Sequence, residues 1–405
     1  MVPSEATIDC ATAPGEPQRL KTDWKHIFSL REMGVYYALL LLVLVLSMTT
    51  TYLGRANYLS ILNVTNVLYQ ASLIGIMAVA MTVILISGNF DLSVASVAAL
   101  SAAVFVGNAD AIGFWPAFAV AMTVAIGSGL LNGAIVQFLG INAFIVTLGT
   151  MTALRGVVLL YTNGYALSVE NTEVIAAMQA FESGRINVGF VMLALGILFL
   201  GCGVAMLFQA QKRSIAVRPA MAALAVIGVC LLALSWTTNL QLMLPKPVLY
   251  LFAFTAIVWF TLTFTMVGRR LYAVGGNAEA ARLSGINVLR YKILAFVLCS
   301  ASAGFAGILF ASRLRSINPG GLSGAELTVI AAAILGGTSL FGGAGSVIKT
   351  LAGALLLFSL SNGFNILNLG ANYQGLIEGI VVVVAAAIYT VGGKNRAKTL
   401  GAKTQ

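Results

Sequence analysis

Long apolar stretches alternate with short polar ones along almost the whole chain. A helix needs about 20 apolar residues to cross the hydrocarbon core of a bilayer, and twelve stretches approach or reach that length. The predicted spans are 34–53, 67–87, 91–107, 115–139, 142–161, 188–208, 219–236, 248–267, 291–312, 326–344, 347–367 and 373–391. The third and tenth are the weakest, because they are short or rich in glycine. The pattern predicts an all-α polytopic membrane protein.

Composition supports this fold class. Of the 405 residues, 59% are hydrophobic and 9% are charged, and the mean hydropathy is +0.96. A soluble domain has about 25% charged residues, so this chain has too few to cover a surface exposed to water. The net charge of +10 could suggest a nucleic-acid partner. The basic residues are spread between apolar stretches, however, and this arrangement is typical of residues that orient membrane helices.

Cysteine and histidine usage gives no sign of a disulfide framework or a metal site. Three of the four cysteines lie in apolar stretches, and His26 is the only histidine. The first 33 residues are polar and contain no signal-peptide core, so we expect the first apolar stretch to remain as an anchor. The predicted organisation is an N-terminal tail (1–33), a transmembrane domain (34–393) and a C-terminal tail (394–405).

The basic residues predict the orientation of the helices. If the N-terminus is cytoplasmic, 17 Lys and Arg residues fall in cytoplasmic segments and 5 in segments on the outer side, while Arg155 lies inside a span. This bias favours both termini being cytoplasmic. An even number of crossings is then required, which twelve or ten spans satisfy.

A polar stretch, SGNFDLSV from Ser87 to Val94, interrupts the apolar pattern between the second and third spans. Gly88 and Asn89 can end a helix, and Asp91 resembles the N-cap of a new one. Two interpretations are compatible. The segment is a broken helix at membrane depth beside a watery cavity, or Asp91 caps a helix in a short cytoplasmic turn.

Arg155 is an unusual charge within a predicted span. An arginine near a helix centre costs about 3 kcal/mol on insertion scales, so it should face a partner or a cavity. We expect an interior structural partner. Because Arg155 lies about six residues from the outer end of its span, its side chain could instead extend to the periplasmic surface.

The longest charged interior segment is GRRLYAVGGNAEAARLSGINVLRYK, residues 268–292, which carries five basic residues. Ala278 to Leu283 favours a helix and Gly285 favours its end. We expect a short helix at the membrane surface that docks on a cytoplasmic partner; the alternative is a loop that only sets orientation. A second segment, GAGSVIKT, resembles a phosphate-binding loop, but Ile348 stands where glycine is required, so we predict a turn between helices.

At these residues the chain resembles the permease subunits of bacterial ABC importers for monosaccharides, of the ribose and xylose type. EAARLSG, Glu279 to Gly285, fits the E-A-A-x-x-x-G signature of importer permeases. The usual I-x-L-P ending is missing, as is normal in the sugar branch. SGNFDLSV, FIVTLGTMTALRGVVLLYTNG and ILGGTSLFGGAGS also match, so the resemblance covers residues 55–393. Ala95 and Thr328 depart from the family pattern, which commonly has glycine and aspartate there.

The resemblance implies a ten-helix core like that of the vitamin B12 importer, present in two copies in the bacterial inner membrane. It also implies a separate ATPase subunit, which binds ATP and Mg, and a periplasmic sugar-binding protein; no cofactor is implied for this chain itself. The coupling residues expected from it are Glu279, Ala280, Ala281, Arg282 and Gly285. The candidates for the sugar pathway or for support of the core are Asn89, Asp91, Arg155, Asn318 and Glu326.

The spans 188–208 and 219–236 form an extra pair relative to this ten-helix core. They fall near the place where xylose-type permeases are longer than ribose-type ones, so xylose or a related aldose is favoured. Because both spans are apolar on all sides, we expect the pair at the lipid-facing periphery. The basic link with Lys212, Arg213 and Arg218 should be cytoplasmic.

A rival from another class is a secondary transporter of the major facilitator type, which also has twelve spans. The G-x-x-x-D-R-x-G-R-R loop of that type is missing after the second span, where the sequence has GNFD. An intramembrane enzyme is disfavoured, because the spans contain no nucleophile–base pair and no metal-ligand set.

Overall fold

The computed structural model describes residues 30–212, 219–368 and 379–380. In that part of the chain it contains 14 helices, α1 to α14, and four short strands, β1 to β4. The elements in chain order are α1 (Leu30–Tyr52), α2 (Ile61–Ile86), α3 (Val94–Ile112), α4 (Phe114–Phe138), α5 (Ala143–Tyr161), β1 (Leu167–Ser168), α6 (Thr172–Glu182), β2 (Arg185–Asn187), α7 (Gly189–Lys212), α8 (Pro219–Thr237), β3 (Met243–Pro245), α9 (Lys246–Phe264), α10 (Met266–Gly276), α11 (Ala278–Leu283), α12 (Val288–Leu314), β4 (Ser316–Ile317), α13 (Ala325–Leu335) and α14 (Val347–Leu367).

Nine helices of the described residues are long and apolar enough to cross a membrane. They correspond to predicted spans one to six, eight, nine and eleven, which confirms a polytopic membrane protein. The seventh corresponds to α8. The tenth prediction, 326–344, is wrong in length, because α13 ends at Leu335 and a glycine-rich loop follows it. The twelfth span, apart from residues 379–380, and the link 213–218 lie outside the described residues.

The chain divides into two compact units. The helix-pair unit, Val188–Leu242, contains α7 and α8. Their backbones come close together at glycines: a Cβ on Gly203 would lie 2.6 Å from the nitrogen of Ala225, and one on Gly228 would lie 2.4 Å from the nitrogen of Leu200. Small residues allow such close approach of helices in lipid, where no hydrophobic force drives them together.

The bundle unit contains the remaining described helices and has its core around α2, α3, α12 and α14, which are mostly buried. Glycines let α12 pack closely against α3 and α4. A Cβ on Gly307 would lie 2.0 Å from the carbonyl oxygen of Ala98, and one on Gly129 would lie 2.8 Å from that of Phe296. The apolar pattern predicts which stretches become helices, and the small residues decide which faces meet.

The bundle unit has two distinguishable ends. The 27 residues of α12 reach about 40 Å, from the charged segment at Val288 to the strand β4. At one end β1 pairs with β4 and β2 pairs with β3, both antiparallel, and we name this the strand end. At the other, the basic end, lie α10 and α11, the end of α2 and the loop between α13 and α14.

Candidate functional site

The charged segment 268–292 lies mainly in two helices, α10 and α11, before α12 begins at Val288, whereas the sequence predicted a single short helix. Thr265 ends α9 and caps α10, with its hydroxyl oxygen accepting from the amide of Gly268 at 3.4 Å. On α10, Leu271 and Val274 are buried while Arg269 and Arg270 are exposed. The segment therefore lies on the bundle through an apolar face and presents a basic face to solvent.

The helix α11 is fixed at both ends. The side-chain oxygen of Asn277 accepts from the amides of Glu279 and Ala280 at 3.1 and 3.0 Å. Its end is set by Gly285, whose φ of +78° is accessible to glycine without strain. Only one buried residue, Ala281, ties this short helix inward.

The residues expected to contact an ATPase do not all face outward. Glu279, Ala280, Arg282 and Gly285 are exposed, but Ala281 is 4% exposed and packs with Val274 and Val288. Ala281 therefore anchors α11 to the protein, and its part in coupling to an ATPase stays a prediction. Sequence reasoning missed Leu283, an apolar side chain that is 84% exposed beside these charges. Its position in the helix-forming run gave no signal of its exposure.

Three glycine-containing turns meet behind α10. The amide of Gly343 donates to the carbonyl oxygen of Ile86, the last residue of α2, at 2.9 Å. A Cβ on Gly275 would lie 1.6 Å from that same oxygen, and a Cβ on Gly342 would lie 2.5 Å from the carbonyl oxygen of Gly275. The hydroxyl of Tyr272 donates to the carbonyl oxygen of Gly345 at 2.8 Å. We call this contact of Ile86, Gly275 and Gly342–Gly343 the glycine junction.

The turn with Asp91 belongs to the same end. Helix α3 begins at Val94 with Ser93 in the cap position, so the prediction that Asp91 is the N-cap is wrong by two residues. The carboxylate instead accepts from the amide and the hydroxyl of Ser93 at 2.9 and 2.6 Å, which holds the turn that precedes the helix. Short side chains with oxygen acceptors commonly form such local turns.

Asp91 also begins a buried polar chain into the bundle. The side-chain amide of Asn132, on α4, donates to the Ser93 hydroxyl at 2.9 Å. One oxygen of Asp91 and the side-chain oxygen of Asn132 are buried and accept no hydrogen bond from the described part of the chain. Burial raises the pKa of Asp91 from its ordinary 3.8 to about 6, against the lowering effect of its bonds to Ser93. Asn89 lies nearby: its backbone amide donates to the carbonyl oxygen of Ile84 at 3.1 Å, and its side-chain amide donates to the hydroxyl of Ser87 at 3.1 Å.

The strand end contains the other three candidates. One guanidinium nitrogen of Arg155 donates to the carbonyl oxygens of Pro319 and Gly321, at 3.3 and 2.8 Å. Asn318 holds the same loop, because its side-chain oxygen accepts from the amide of Gly320 at 2.9 Å. The five candidates for pathway or support thus form two separate groups.

Glu326 lies in the first turn of α13, just after this loop. One of its carboxylate oxygens is buried without a hydrogen-bond partner among the described residues. The negative charge of Glu326 also interacts electrostatically with the guanidinium of Arg155. Since α13 follows directly from the loop held by Arg155, these groups fix where the helix begins.

A cavity of about 340 Å³ opens beside the start of α13. Its lining combines hydroxyl groups with apolar side chains from three helices and the preceding loop. The lining residues are Ile74, Ser323, Gly324, Ala325, Thr328, Leu357, Phe358 and Ser361. Known ligand pockets have volumes of roughly 300–1,000 Å³ and similarly mixed linings. Sequence reasoning noted Thr328 only as a departure from a family pattern, since such a cavity forms between elements distant in the chain.

Comparisons with known proteins all match this chain to membrane transport permeases. Residues 63–386 match a family described as branched-chain amino acid transport system, permease component. The chain is 35% identical to the ribose import permease protein of Escherichia coli (strain K12) over 89% of its length and 94% of the relative's. It is 34% identical to the xylose transport system permease protein of the same organism, over 86% and 90%.

A ribose import permease protein of Bacillus subtilis (strain 168) is 31% identical, over 92% of this chain and 97% of its own length. No solved structure gives a significant match. The family match extends through the bundle, the charged segment and the α13 region, and the relatives are covered almost completely. The chain therefore belongs to this family of membrane transport permeases, and the rival interpretation as a secondary transporter of the major facilitator type is set aside.

Proposed function

We propose that the chain is the membrane permease subunit of an ATP-driven importer that carries a monosaccharide into the cytoplasm. The relatives named as ribose and xylose permeases support the sugar class. Their identities to this chain are nearly equal, so the preference for xylose or a related aldose rests on the extra helix pair. This subunit would supply the path through the inner membrane, and ATP and Mg would bind to a partner subunit.

The observation that carries the proposal is the exposed, capped helix α11. Leu283 exposes its apolar side chain next to the exposed Glu279 and Arg282, and an apolar anchor rimmed by charges is typical of a docking surface. Because Asn277 and Gly285 fix the two ends of the helix, little ordering entropy would be lost on docking. The partner that fits is the ATPase subunit of an importer.

The charge distribution supports an orientation for this arrangement. The basic end would face the cytoplasm, with both termini on that side, and the strand end would face the periplasm. A periplasmic sugar-binding protein would then meet the surface formed by α6 and the β-ladders. The domain organisation of 1–33, 34–393 and 394–405 follows from the same orientation, with residues 268–292 as the cytoplasmic coupling loop.

The assembly proposed contains two copies of the chain around one pathway, each with the ten-helix core of the vitamin B12 importer type. The pair α7–α8 would be additional to that core and peripheral. Both helices carry many exposed apolar side chains, such as Phe190, Ile197 and Val226. Such side chains fit contact with lipid better than an aqueous sugar path.

The cavity beside α13 is the part of the bundle that we assign to the sugar. The hydroxyl groups of Ser323 and Thr328 could hydrogen-bond a sugar, and Phe358 could pack against its apolar face. The Arg155 loop would support one wall of this path without contacting the sugar.

Charge reversal at the docking helix tests the proposal. Glu279→Lys should abolish sugar uptake and sugar-stimulated ATP hydrolysis, and the purified variant should retain less ATPase subunit. Removing one partner of an interfacial charge pair typically costs a few kcal/mol. Glu173→Lys is the matched control, because Glu173 is exposed in α6 at the opposite end and should leave ATPase retention unchanged. Normal uptake by normally inserted Glu279→Lys protein would contradict the proposal.

Thiol labelling tests the assignment of the cavity. In a background without native cysteines, Thr328→Cys should react with a water-soluble reagent and be protected by the transported sugar. Leu327→Cys is the neighbouring control, because Leu327 is 66% exposed and is absent from the cavity lining. Cysteines placed along α7 and α8 should show no protection. Equal protection at positions 327 and 328 would show that the cavity is not the sugar path.

A further inference from the structure

The glycine junction joins elements that are far apart in the chain through backbone atoms alone. Gly275 lies near the end of α10, Ile86 ends α2, and Gly342 and Gly343 lie in the loop between α13 and α14. A Cβ on Gly275 would lie 1.6 Å from the oxygen of Ile86 and one on Gly342 would lie 2.5 Å from the oxygen of Gly275, so there is no room for a side chain between these segments. The left-handed φ angles of Gly342 and Gly343, +87° and +70°, independently require glycine at these positions.

Such a contact transmits displacement with little loss. A contact between side chains can absorb a movement through a change of rotamer, but backbone atoms in direct contact have no rotamers to change. The hydrogen bond from Gly343 to Ile86 and the one from Tyr272 to Gly345 tie the three segments together at the same place. A shift of α10 must therefore shift the end of α2 and the α13–α14 loop with it.

The elements on the far side of the junction lead to the cavity. Helix α2 contributes Ile74 to the cavity lining, α13 contributes Ala325 and Thr328, and α14 contributes Phe358. The helices α10 and α11 are covalently continuous with α9 and α12, so movement reaches those two helices directly. The junction extends this movement to α2, α13 and α14, which do not adjoin α10 or α11 in the sequence.

We infer that the glycine junction transmits movement of the ATPase-docked segment to the helices that line the cavity, with Gly275 as its positioning residue. This inference rests on the proposed function, since it assumes an ATPase docked on α11. The junction is separate from the docking surface, because Gly275 lies on the side of α10 that meets Ile86 and Gly343, whereas Glu279 and Leu283 are exposed.

The chain offers a closely matched pair of variants. Gly275→Ala places a methyl group against the oxygen of Ile86, whereas Gly276→Ala, one residue on, places its methyl group where nothing lies within 4 Å. Each permease is reconstituted with its ATPase and binding protein, and three quantities are measured: ATPase retained on purification, ATP hydrolysed, and sugar taken up. Gly276→Ala should match the unmodified protein in all three.

Gly275→Ala should retain the ATPase and hydrolyse ATP, yet take up about tenfold less sugar per ATP, in line with the usual size of coupling between sites. A sugar-to-ATP ratio equal to that of Gly276→Ala would overturn the inference. Loss of the ATPase from Gly275→Ala would also overturn it, because the residue would then act in docking. Failure of the unmodified protein to retain its ATPase would refute the proposed function itself.

A milder variant covers the case in which Gly275→Ala does not fold. Tyr272→Phe removes only the hydroxyl that donates to Gly345. It should lower the ratio of sugar to ATP by a smaller factor at unchanged ATPase retention. An unchanged ratio would count against transmission through this contact.

Discussion

At the basic end of the bundle, the central contact between turns is made by the backbones of glycines, with the hydroxyl of Tyr272 adding one bond to a carbonyl oxygen. At the strand end, side chains make the contacts to backbone carbonyls. The glycine junction has no side chain between its partners, while Arg155 spans the gap to the loop of Pro319 and Gly321. The strand end has further examples, such as Lys246 donating to the carbonyl oxygen of Ala180 at 2.5 Å and Tyr250 donating to that of Phe181 at 3.0 Å. The comparison suggests that the basic end moves as one piece and that the strand end can adjust.

The largest effect should come from a bulky residue in the junction. Gly342→Val forces a β-branched residue to adopt a φ of +87° and to occupy the space of the Gly275 carbonyl. We expect the free energy of unfolding to fall by several kcal/mol. Little folded protein should then be recovered, as measured by size-exclusion chromatography in detergent. The matched change at the strand end is Gly320→Val, whose nearest contact is the side-chain oxygen of Asn318 at 3.5 Å. Equal yields of the two variants would remove the distinction between the ends.

Arg155→Ala should have the next largest effect. It leaves two carbonyl oxygens without their donor and Glu326 without the nearby positive charge. The free energy of unfolding should fall by about 3 kcal/mol, which would lower the unfolding temperature. Arg155→Lys should recover part of this loss. If Arg155→Ala has the stability of the unmodified protein, the side-chain contacts do not hold this end.

Asp91 departs from the pattern of backbone contacts at the basic end, because its side chain holds the turn at Ser93. Asp91→Leu removes the acceptor of Ser93 and should cost about 2 kcal/mol, with reduced transport or assembly. Asp91→Asn should be mild, since an amide oxygen can accept the same bonds. A harmless leucine combined with a severe asparagine would show that the negative charge itself matters.

The same carboxyl predicts a pH dependence. Its pKa is raised in the folded state, from 3.8 to about 6, so the folded protein binds this proton more tightly than the unfolded chain does. The contribution of Asp91 to stability should therefore fall as the pH rises from about 4 to about 6. Thermal unfolding of the unmodified protein and of Asp91→Asn should converge at the acid end of this range and separate above it. Parallel curves for the two proteins would contradict this expectation.

The smallest effect concerns the cap of α11. Asn277→Ala removes the acceptor for the amides of Glu279 and Ala280 and should weaken this helix by about 1 kcal/mol. Global stability should change little, but ATPase retention should fall, and Asn277→Asp should restore it. Unchanged retention in Asn277→Ala would indicate that docking does not need a preformed helix.

The sequence allowed the helical class, most of the spans and the charged segment to be predicted, because these depend on local apolar pattern and local charge. The short α13 was not predicted, because its apolar character continues into Gly336 and beyond while the helix does not. The position of Asp91 was misjudged by two residues, since an Asp can accept from a turn before a helix as well as from the helix itself. The glycine junction and the cavity depend on contacts between distant segments, which no local pattern contains.

The length of α13 has a consequence for how the protein enters the membrane during synthesis. The chain between Asn318 at the strand end and Gly342 at the basic end crosses the bundle, yet only the 11 residues of α13 are helical, a length of about 16 Å. A segment this short cannot span the roughly 30 Å of hydrocarbon, and its glycine-rich continuation would expose unpaired backbone groups to lipid. It therefore cannot partition into the bilayer by itself as it is made. We therefore expect this region to insert only once α12 and α14 flank it, so that α12, α13 and α14 enter the membrane together.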